Sequence, residues 1–177
     1  CLQIAKSRDE TGTVKYMMAD AYRLPFDPGS FDIVTCTDLF EHVSNPEKIL
    51  EEISRVLSMN GFFFFHTYNR TPASMAVVHL FHRWFATQPQ ARLHSYDLFI
   101  KPKDFTSWLG DHKLSMVEIH GIRPRIFQFP MLKLLFGGKV DPRFRFKWTQ
   151  MKAIAYAGIA RKVQSRIIDC CRDKMQS

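Results

Sequence analysis

Residues 14–36, VKYMMADAYRLPFDPGSFDIVTC, contain two short apolar runs joined by a polar link that is rich in turn-forming residues. The first run, 14–19, and the second, 31–36, have the length and composition of buried strands, and we expect a β-strand at each. The link holds two prolines and a glycine, which interrupt helices and favour turns. An acidic residue follows each predicted strand: Asp20 comes after the first and Asp38 after the second.

A helix and a third strand are predicted next. SNPEKILEEISRVLSMNG (44–61) has apolar residues at helical spacing, an N-cap in Ser44 or Asn45 and a stop at Asn60-Gly61. GFFFFHTYN (61–69) is predicted to be a fully buried strand. Strand, helix and strand with short connections form a parallel pair in a covered sheet, so the sequence predicts an α/β fold.

Four more elements and a tail complete the predicted order. A helix that is apolar on nearly every side is predicted at 71–90, TPASMAVVHLFHRWFATQPQ. A further helix is predicted to begin near Pro102. LSMVEIHGIRP (114–124) alternates like a strand, and the middle of TQMKAIAYAGIARKV (149–163) reads as the last strand. The charged tail, 164–177, is expected to be disordered or a loose helix.

Charge is distributed unevenly along the 177 residues. Residues 1–120 carry 12 Lys/Arg against 14 Asp/Glu, whereas residues 121–177 carry 13 against 3. Such asymmetry is typical of chains that bind an anionic membrane surface or nucleic acid, and it also occurs as a plain solvated basic face. No zinc-finger, aromatic RNA-binding or helix-turn-helix pattern accompanies it, which makes nucleic acid the weakest of the three interpretations.

The cysteines and the apolar runs indicate the cellular compartment of the protein. Cys1, Cys36, Cys170 and Cys171 lack metal-ligand spacing, and the last two are too close in sequence to bridge easily. We therefore expect reduced thiols and a cytoplasmic protein. No apolar run is long enough to predict a transmembrane helix.

The carboxyl ends of the predicted strands indicate where a ligand would bind. Parallel α/β sheets bind ligands outside those ends. Asp20 lies at one such end, and Asp38, Glu41 and His42 lie at the next. Each also has a simpler interpretation, because an Asp after a strand is often a turn or cap residue and Glu41-His42 is also a plausible helix start.

Taken together, these residues resemble a known family. The string D-A-x-x-L-P-F-x-x-x-S-F-D-x-V, followed by E-H-V and P, resembles the class I S-adenosylmethionine-dependent methyltransferases. It comprises Asp20, Ala21, Leu24, Pro25, Phe26, Ser30, Phe31, Asp32, Val34, Glu41, His42, Val43 and Pro46. Three later segments are similar to segments of the ubiquinone-biosynthesis O-methyltransferases, namely TYNRTPAS, RLHSYDLFIKPKDFTSWL and LSMVEIHGIRP. The likeness covers roughly residues 1–160.

That resemblance implies a Rossmann-like three-layer sandwich and S-adenosylmethionine as cofactor. By analogy, Asp20 binds the adenine amine, Ala21 offers its backbone and Leu24 or Phe26 packs against the ring. Thr37 and Asp38 line the pocket near the methionine part of the cofactor. The implied reaction is methylation of a hydroxyl on an aromatic acceptor, a prenylated precursor like that of ubiquinone.

Asp38, Glu41 and His42 are also candidates for catalytic and metal-binding roles. Glu41 and His42 are expected to face the acceptor, with His42 as the base that removes the phenol proton. Asp38, Glu41 and His42 stand at i, i+3 and i+4, so one helical turn would bring them to a common point. With the later His94 they form a candidate site for Mg²⁺ or Mn²⁺. His42 as a simple base or a structural cap is the alternative.

One part of the family pattern is not found. The family begins with a strand and a Gly-rich turn next to the cofactor, and CLQIAKSRDETGT resembles the helix that comes later. The sequence therefore predicts that residues 1–163 are the C-terminal two-thirds of a methyltransferase domain, with an insertion at about 71–101, lacking the first strands. We expect this chain alone to be inactive. The alternatives are another small-molecule methyltransferase or a non-catalytic fragment.

The helical segment 73–87 is too apolar for a solvent-exposed helix. Its apolar residues are most often core, but in the resembling family the matching insertion contacts the bilayer that holds the prenylated substrate. The relevant side chains are Met75, Val77, Val78, Leu80, Phe81, Trp84 and Phe85. With the basic C-terminal third, they predict a peripheral contact with an anionic membrane, on its inner face or in the mitochondrial matrix of a eukaryote.

Overall fold

The computed structural model describes residues 2–85, 96–125, 143 and 145–164, and for residues 79–85 and 96 it describes the backbone only. The helices are α1 (Leu2–Ser7), α2 (Pro46–Val56), α3 (Pro72–Phe85) and α4 (Pro102–Asp111), with short 3₁₀ helices at Phe40–His42 and Tyr96–Leu98. The strands are β1 (Phe31–Thr37), β2 (Leu57–Tyr68), β3 (Leu114–Pro124), β4 (Phe146–Thr149) and β5 (Ala155–Lys162).

The described strands form one mixed sheet in the order β1-β2-β5-β3-β4. β1 and β2 are parallel, as the sequence predicts, while β2–β5, β5–β3 and β3–β4 are antiparallel. The parallel pair brings the carboxyl ends of β1 and β2 to the same edge of the sheet. The prediction of an α/β fold is confirmed.

Helix α2 begins as predicted but ends earlier. The side chain of Asn45 accepts a hydrogen bond from the backbone N–H of Lys48, and Pro46 occupies the first turn, where its missing N–H costs nothing. The predicted stop at Asn60-Gly61 is wrong, because the helix ends at Val56 and both residues lie in β2. Pairing skips from Phe31–Leu57 to Ile33–Phe62, so the Asn-Gly pair forms a bulge, and Asn60 has a φ of 67°.

Strand β2 is not fully buried, contrary to the sequence prediction. Phe63 and Phe65 face the core, whereas Phe62 and Phe64 are 39% and 37% exposed. Side chains alternate between the two faces of a strand, and helices α2 and α4 lie over one face. Four consecutive phenylalanines cannot by themselves indicate which face is covered.

The strand predicted at 14–19 does not form. Residues 13–19 have no regular secondary structure, and Val14, Met17 and Met18 are exposed. A strand is stabilised by hydrogen bonds to a neighbouring strand, and no described strand pairs with this segment. An apolar run with a strand-like pattern therefore stays irregular.

The remaining predictions are largely confirmed. The helices expected at 71–90 and from Pro102 appear as α3 and α4, and the strands expected at 114–124 and within 149–163 appear as β3 and β5. Strand β4 was not predicted, because its four residues, FKWT, are too short to show a pattern. The tail 165–177 lies outside the described residues.

The core lies between the sheet and helices α2 and α4. Aromatic rings dominate it: Phe65 packs against Phe105 at 4.8 Å between ring centroids, and Phe40 against Phe105 at 5.0 Å. The hydroxyl of Tyr156 is buried and donates to the carbonyl of Ile100. The core extends to Cys36 and Phe40 at the carboxyl edge, so the residues of that edge are packed against the core.

Candidate functional site

The candidate site lies at the carboxyl edge shared by β1 and β2. Thr37 at the end of β1 pairs with His66 of β2, and the backbone N–H of Asp38 donates to the carbonyl of His66. The sequence-predicted residues Thr37, Asp38, Glu41 and His42 therefore all follow the end of one strand. The structure adds the end of the neighbouring strand to that group.

Asp38 contacts His66 through their side chains. Oδ1 of Asp38 lies 2.8 Å from Nδ1 of His66, and the Asp38 side chain is largely exposed. An ionised carboxylate only accepts hydrogen bonds, so Nδ1 carries the hydrogen. Asp38 has a φ of 54°, a conformation that costs energy for a residue other than glycine. Such strain is typical of functional sites.

Glu41 is fully buried behind this pair, at 0% exposure. Its Oε2 accepts a hydrogen bond from the hydroxyl of Thr67, at 3.2 Å, and Oε1 has no hydrogen-bond partner among the described residues. Burial, with the nearby charge of Asp38, raises the pKa of the Glu41 carboxyl. The carboxylate is held inside the edge rather than turned to solution.

Two groups near Glu41 at the edge, a thiol and a phenol, stay neutral at neutral pH. Burial raises the pKa of the Cys36 thiol to about 12, and the charges of Glu41 and Asp38 add to the effect. Burial, with the same two charges, also raises the pKa of Tyr68 to about 12. A thiol with such a pKa is not a nucleophile at neutral pH, so the chemistry of the edge depends on its acids and histidines.

The three described residues of the predicted metal site do not converge on a common point. Asp38 precedes the 3₁₀ helix in a left-handed conformation, so Asp38, Glu41 and His42 do not share a helical turn. Asp38 turns to His66, Glu41 turns inward to Thr67, and His42 is exposed. Across residues 2–85, 96–125 and 145–164, no three His, Cys, Asp or Glu side chains are grouped to hold a metal ion. His94 lies outside the described residues.

Asp20 occupies a tight turn beside the start of α2. Its Oδ1 accepts the backbone N–H of Tyr22 at 2.9 Å, and the Tyr22 hydroxyl accepts the backbone N–H of Asn45 at 3.3 Å. Helix α2 starts at the carboxyl edge of β1, so Asp20 lies at the same edge as Asp38. Ala21 packs against the core behind the turn.

Leu24 lies beside α2, close to Glu52 near the end of that helix. Its backbone N–H donates to Glu52, and the Arg55 guanidinium donates to the carbonyls of Leu24 and Phe26. A polar cavity of about 570 Å³ adjoins this contact. It is lined by Arg23, Leu24, Pro25, Phe26, Asp27, Ser30, Glu52 and Arg55. Ser30 precedes β1, so the cavity lies toward the amino end of that strand, away from Asp38.

Sequence reasoning missed three residues at the edge: His66, Thr67 and Tyr68. The signal was the polar H-T-Y that ends a run of four phenylalanines at the carboxyl end of β2. The same rule that drew attention to Asp38 applies there, because both strands end at one edge. His66 contacts Tyr68 edge-on, with 5.7 Å between ring centroids.

Comparisons with known proteins agree with this geometry. Residues 1–65 match the family model described as "Methyltransferase domain". A ubiquinone biosynthesis O-methyltransferase from Xanthomonas oryzae pv. oryzae is 36% identical over 94 residues, 53% of this chain and 39% of that protein. One of the same name from Xanthomonas campestris pv. campestris is 36% identical over 95 residues, 54% of this chain and 40% of that protein. The matched stretch thus spans about two fifths of the length of these curated relatives.

Solved structures share the fold at low sequence identity. A SAM-dependent methyltransferase from Thermotoga maritima aligns with a TM-score of 0.61 at 16% identity, covering 90% of this chain and 68% of that one. A SAM-dependent methyltransferase from Methanosarcina mazei aligns with a TM-score of 0.55 at 15% identity, covering 92% and 77%. Residues 1–65 are thus similar to a methyltransferase domain, the chain is similar to curated ubiquinone biosynthesis O-methyltransferases, and it shares its fold with solved methyltransferase structures.

Proposed function

We propose that the protein containing this chain is an S-adenosylmethionine-dependent O-methyltransferase that methylates a hydroxyl on a prenylated aromatic acceptor. The observation that carries the proposal is the 36% identity to proteins named ubiquinone biosynthesis O-methyltransferase. The methyltransferase family model matches residues 1–65, which include Thr37, Asp38, Glu41 and His42. The acid-rich edge at Asp38 and Glu41 supports it, because this is where an α/β sheet binds small ligands.

The residues of the edge suit the cofactor chemically. S-adenosylmethionine carries a positively charged sulfonium and an ammonium group, and Asp38 offers an exposed carboxylate at the end of β1. The unpartnered Oε1 of Glu41 adds a buried acceptor beside it. We propose that Thr37 and Asp38 bind near the methionine part, while Asp20 and Ala21 bind the adenine. Leu24, held by Glu52 toward the amino end of β1, lies apart from them and is not part of this proposal.

The proposed chemistry asks little of the protein beyond positioning and removal of a proton. The bound cofactor supplies an electrophilic methyl group, and the acceptor oxygen forms the new bond to carbon as the bond to sulfur breaks. The hydroxyl proton passes to a base, for which we propose His42, exposed on the 3₁₀ helix after β1. Because Glu41 is buried, we propose that it orients this helix through Thr67 instead of contacting the acceptor.

The test uses the protein translated from its complete reading frame, whatever that frame adds to residues 1–177. With S-adenosylmethionine and a catechol acceptor, mass spectrometry is expected to show a gain of one CH₂. His42→Gln is expected to lower kcat ~10²–10⁴-fold, since loss of a general base has that effect, and to leave cofactor affinity nearly unchanged. Asn45→Asp, which keeps the N-cap of α2, is the matched control.

The results separate the alternatives. Methylation of small catechols but not of prenylated ones would favour another small-molecule methyltransferase of the same fold. Cofactor binding without transfer to any hydroxylated aromatic would contradict the proposed reaction. Equal kcat values for wild type and His42→Gln would remove His42 as the base and leave the reaction class intact.

We further propose that the protein contacts an anionic membrane peripherally. None of the helices described is both long enough and apolar enough to cross a bilayer. A prenylated acceptor stays in the bilayer because each methylene removed from it costs about 0.8 kcal/mol, so the enzyme has to approach the surface. The net excess of ten basic residues over acidic ones after residue 120 supports attraction to anionic lipid.

A further inference from the structure

Part of the basic C-terminal third forms a two-stranded ribbon at one margin of the sheet, with its outer strand exposed. β4 is the edge strand, and it pairs only with β3 among the described strands. The pairing continues one step beyond both strands, where the backbone N–H of Arg125 donates to the carbonyl of Arg145 at 3.1 Å. We call residues 121–125 and 145–149 together the edge ribbon.

One face of the edge ribbon is apolar, and its β4 half is exposed, whereas Ile122 is half-buried and Pro124 is buried. Ile122 lies opposite Trp148, and Pro124 lies opposite Phe146, so the four side chains share a face. Phe146 is 59% exposed and Trp148 is 63% exposed. The His120 ring meets Trp148 edge-on, with 6.3 Å between centroids. Large aromatic side chains exposed together are typical of an interaction surface.

The other face is cationic. Arg123 lies directly opposite Lys147, and the next pair along the ribbon is Arg125 and Arg145. Like charges directly opposite each other on a sheet repel and destabilise it. Within the described ranges no carboxylate forms an ion pair with Arg123 or Lys147. An external anion would relieve that repulsion.

We propose that the edge ribbon is the surface that docks on an anionic lipid bilayer. Its aromatic face enters the boundary between headgroups and acyl chains, where Trp is favoured, and its cationic face lies among the anionic headgroups. This inference rests on the proposed membrane contact and names the surface that makes it. A nucleic acid fits less well, because no RNA-binding pattern accompanies these basic residues.

The test measures binding of the complete protein to vesicles by sedimentation. The vesicles contain phosphatidylcholine alone or phosphatidylcholine with phosphatidylglycerol, at low and at high salt. Arg123→Gln with Lys147→Gln is expected to weaken binding to the anionic vesicles on the order of 30-fold. Phe146→Ser with Trp148→Ser is expected to abolish the salt-resistant part of the binding.

Met18→Ser, an exposed methionine far from the ribbon in sequence, is the apolar control and should bind like the wild type. Phe146, Lys147 and Trp148 are exposed and Arg123 is half-buried, and circular dichroism checks that both double variants fold. A second readout uses Trp148→Phe: the blue shift of tryptophan fluorescence on adding anionic vesicles should shrink with the loss of Trp148.

Each outcome decides a separate point. If both double variants bind anionic vesicles as tightly as the wild type, the edge ribbon is not the docking surface, and the membrane contact lies elsewhere, such as at α3. No binding of the wild type to anionic vesicles would overturn the membrane contact and the ribbon together, while methylation of catechols in solution would be unaffected. Binding of single-stranded RNA that depends on the ribbon, without vesicle binding, would replace lipid by nucleic acid.

Discussion

Glu41 illustrates at the residue scale how burial changes what a carboxylate does. Burial raises its pKa, so the folded chain holds this proton more tightly than the unfolded chain does. The stability contributed by Glu41 is therefore present below its unfolded-state pKa and is lost as the pH rises through the folded-state value. Glu41→Gln removes the charge, and we expect it to raise the free energy of unfolding at neutral pH by about 1–3 kcal/mol.

Urea denaturation at several pH values checks this expectation. The difference between Glu41→Gln and wild type should shrink toward acidic pH, where the wild-type carboxyl is protonated. Glu51→Gln, on the exposed side of α2, is the matched control and should stay within about 0.5 kcal/mol of wild type. A variant less stable than wild type at neutral pH would mean that the Glu41 charge is compensated.

Asp20 gives a second test at this scale. If its carboxylate binds the adenine amine, Asp20→Ala should weaken cofactor binding by the complete protein by ~1.5–3 kcal/mol, measured by calorimetry. Alanine also removes the bond to the Tyr22 backbone, whereas Asp20→Asn keeps an oxygen for it. Loss of affinity in both variants would assign the effect to the charge. Loss in neither would place Asp20 outside the binding site.

At the scale of elements, α2 holds the irregular link that carries Asp20. The Arg55 guanidinium donates to two backbone carbonyls of the link and to Glu52, whose carboxylate accepts the N–H of Leu24. Lysine lacks the planar, multiply donating group, so Arg55→Lys should lower the stability of the fold. Hydrogen exchange should quicken at Leu24 and Phe26. Arg8→Lys, at an exposed position, is the control, and unchanged exchange would show that the link is held by other contacts.

For the whole molecule, one face of the sheet is covered by helices and the other is not, so substitutions at neighbouring residues should lower the stability by different amounts. Phe63 is 0% exposed between β2 and the helices, and Phe63→Ala should cost about 3–5 kcal/mol. Phe64 faces away from them, and Phe64→Ala should cost about 1 kcal/mol or less and reduce binding of a hydrophobic dye. Chemical denaturation and dye fluorescence of the 177-residue chain measure both. Equal costs at the two positions would show that the second face is also covered.

The sequence alone was sufficient where the determining interactions are local. The N-cap at Asn45 and the helix start at Pro46 depend on neighbours within one turn, so α2 could be predicted from its first residues. β3 and β5 were recognised because alternation and length are properties of a short window. The acids at 20, 38 and 41 could likewise be singled out, because they follow predicted strands.

Tertiary structure decided everything that depends on which segments meet. The run at 14–19 has a strand-like sequence, but a strand needs a partner for its hydrogen bonds and none is described. The contact between Asp38 and His66 requires β1 and β2 to be parallel and in one register, which sequence spacing does not specify. The burial of Glu41 against Thr67 separates it from the predicted metal cluster for the same reason. Residue type and spacing set the available chemistry, and packing determined which groups face each other.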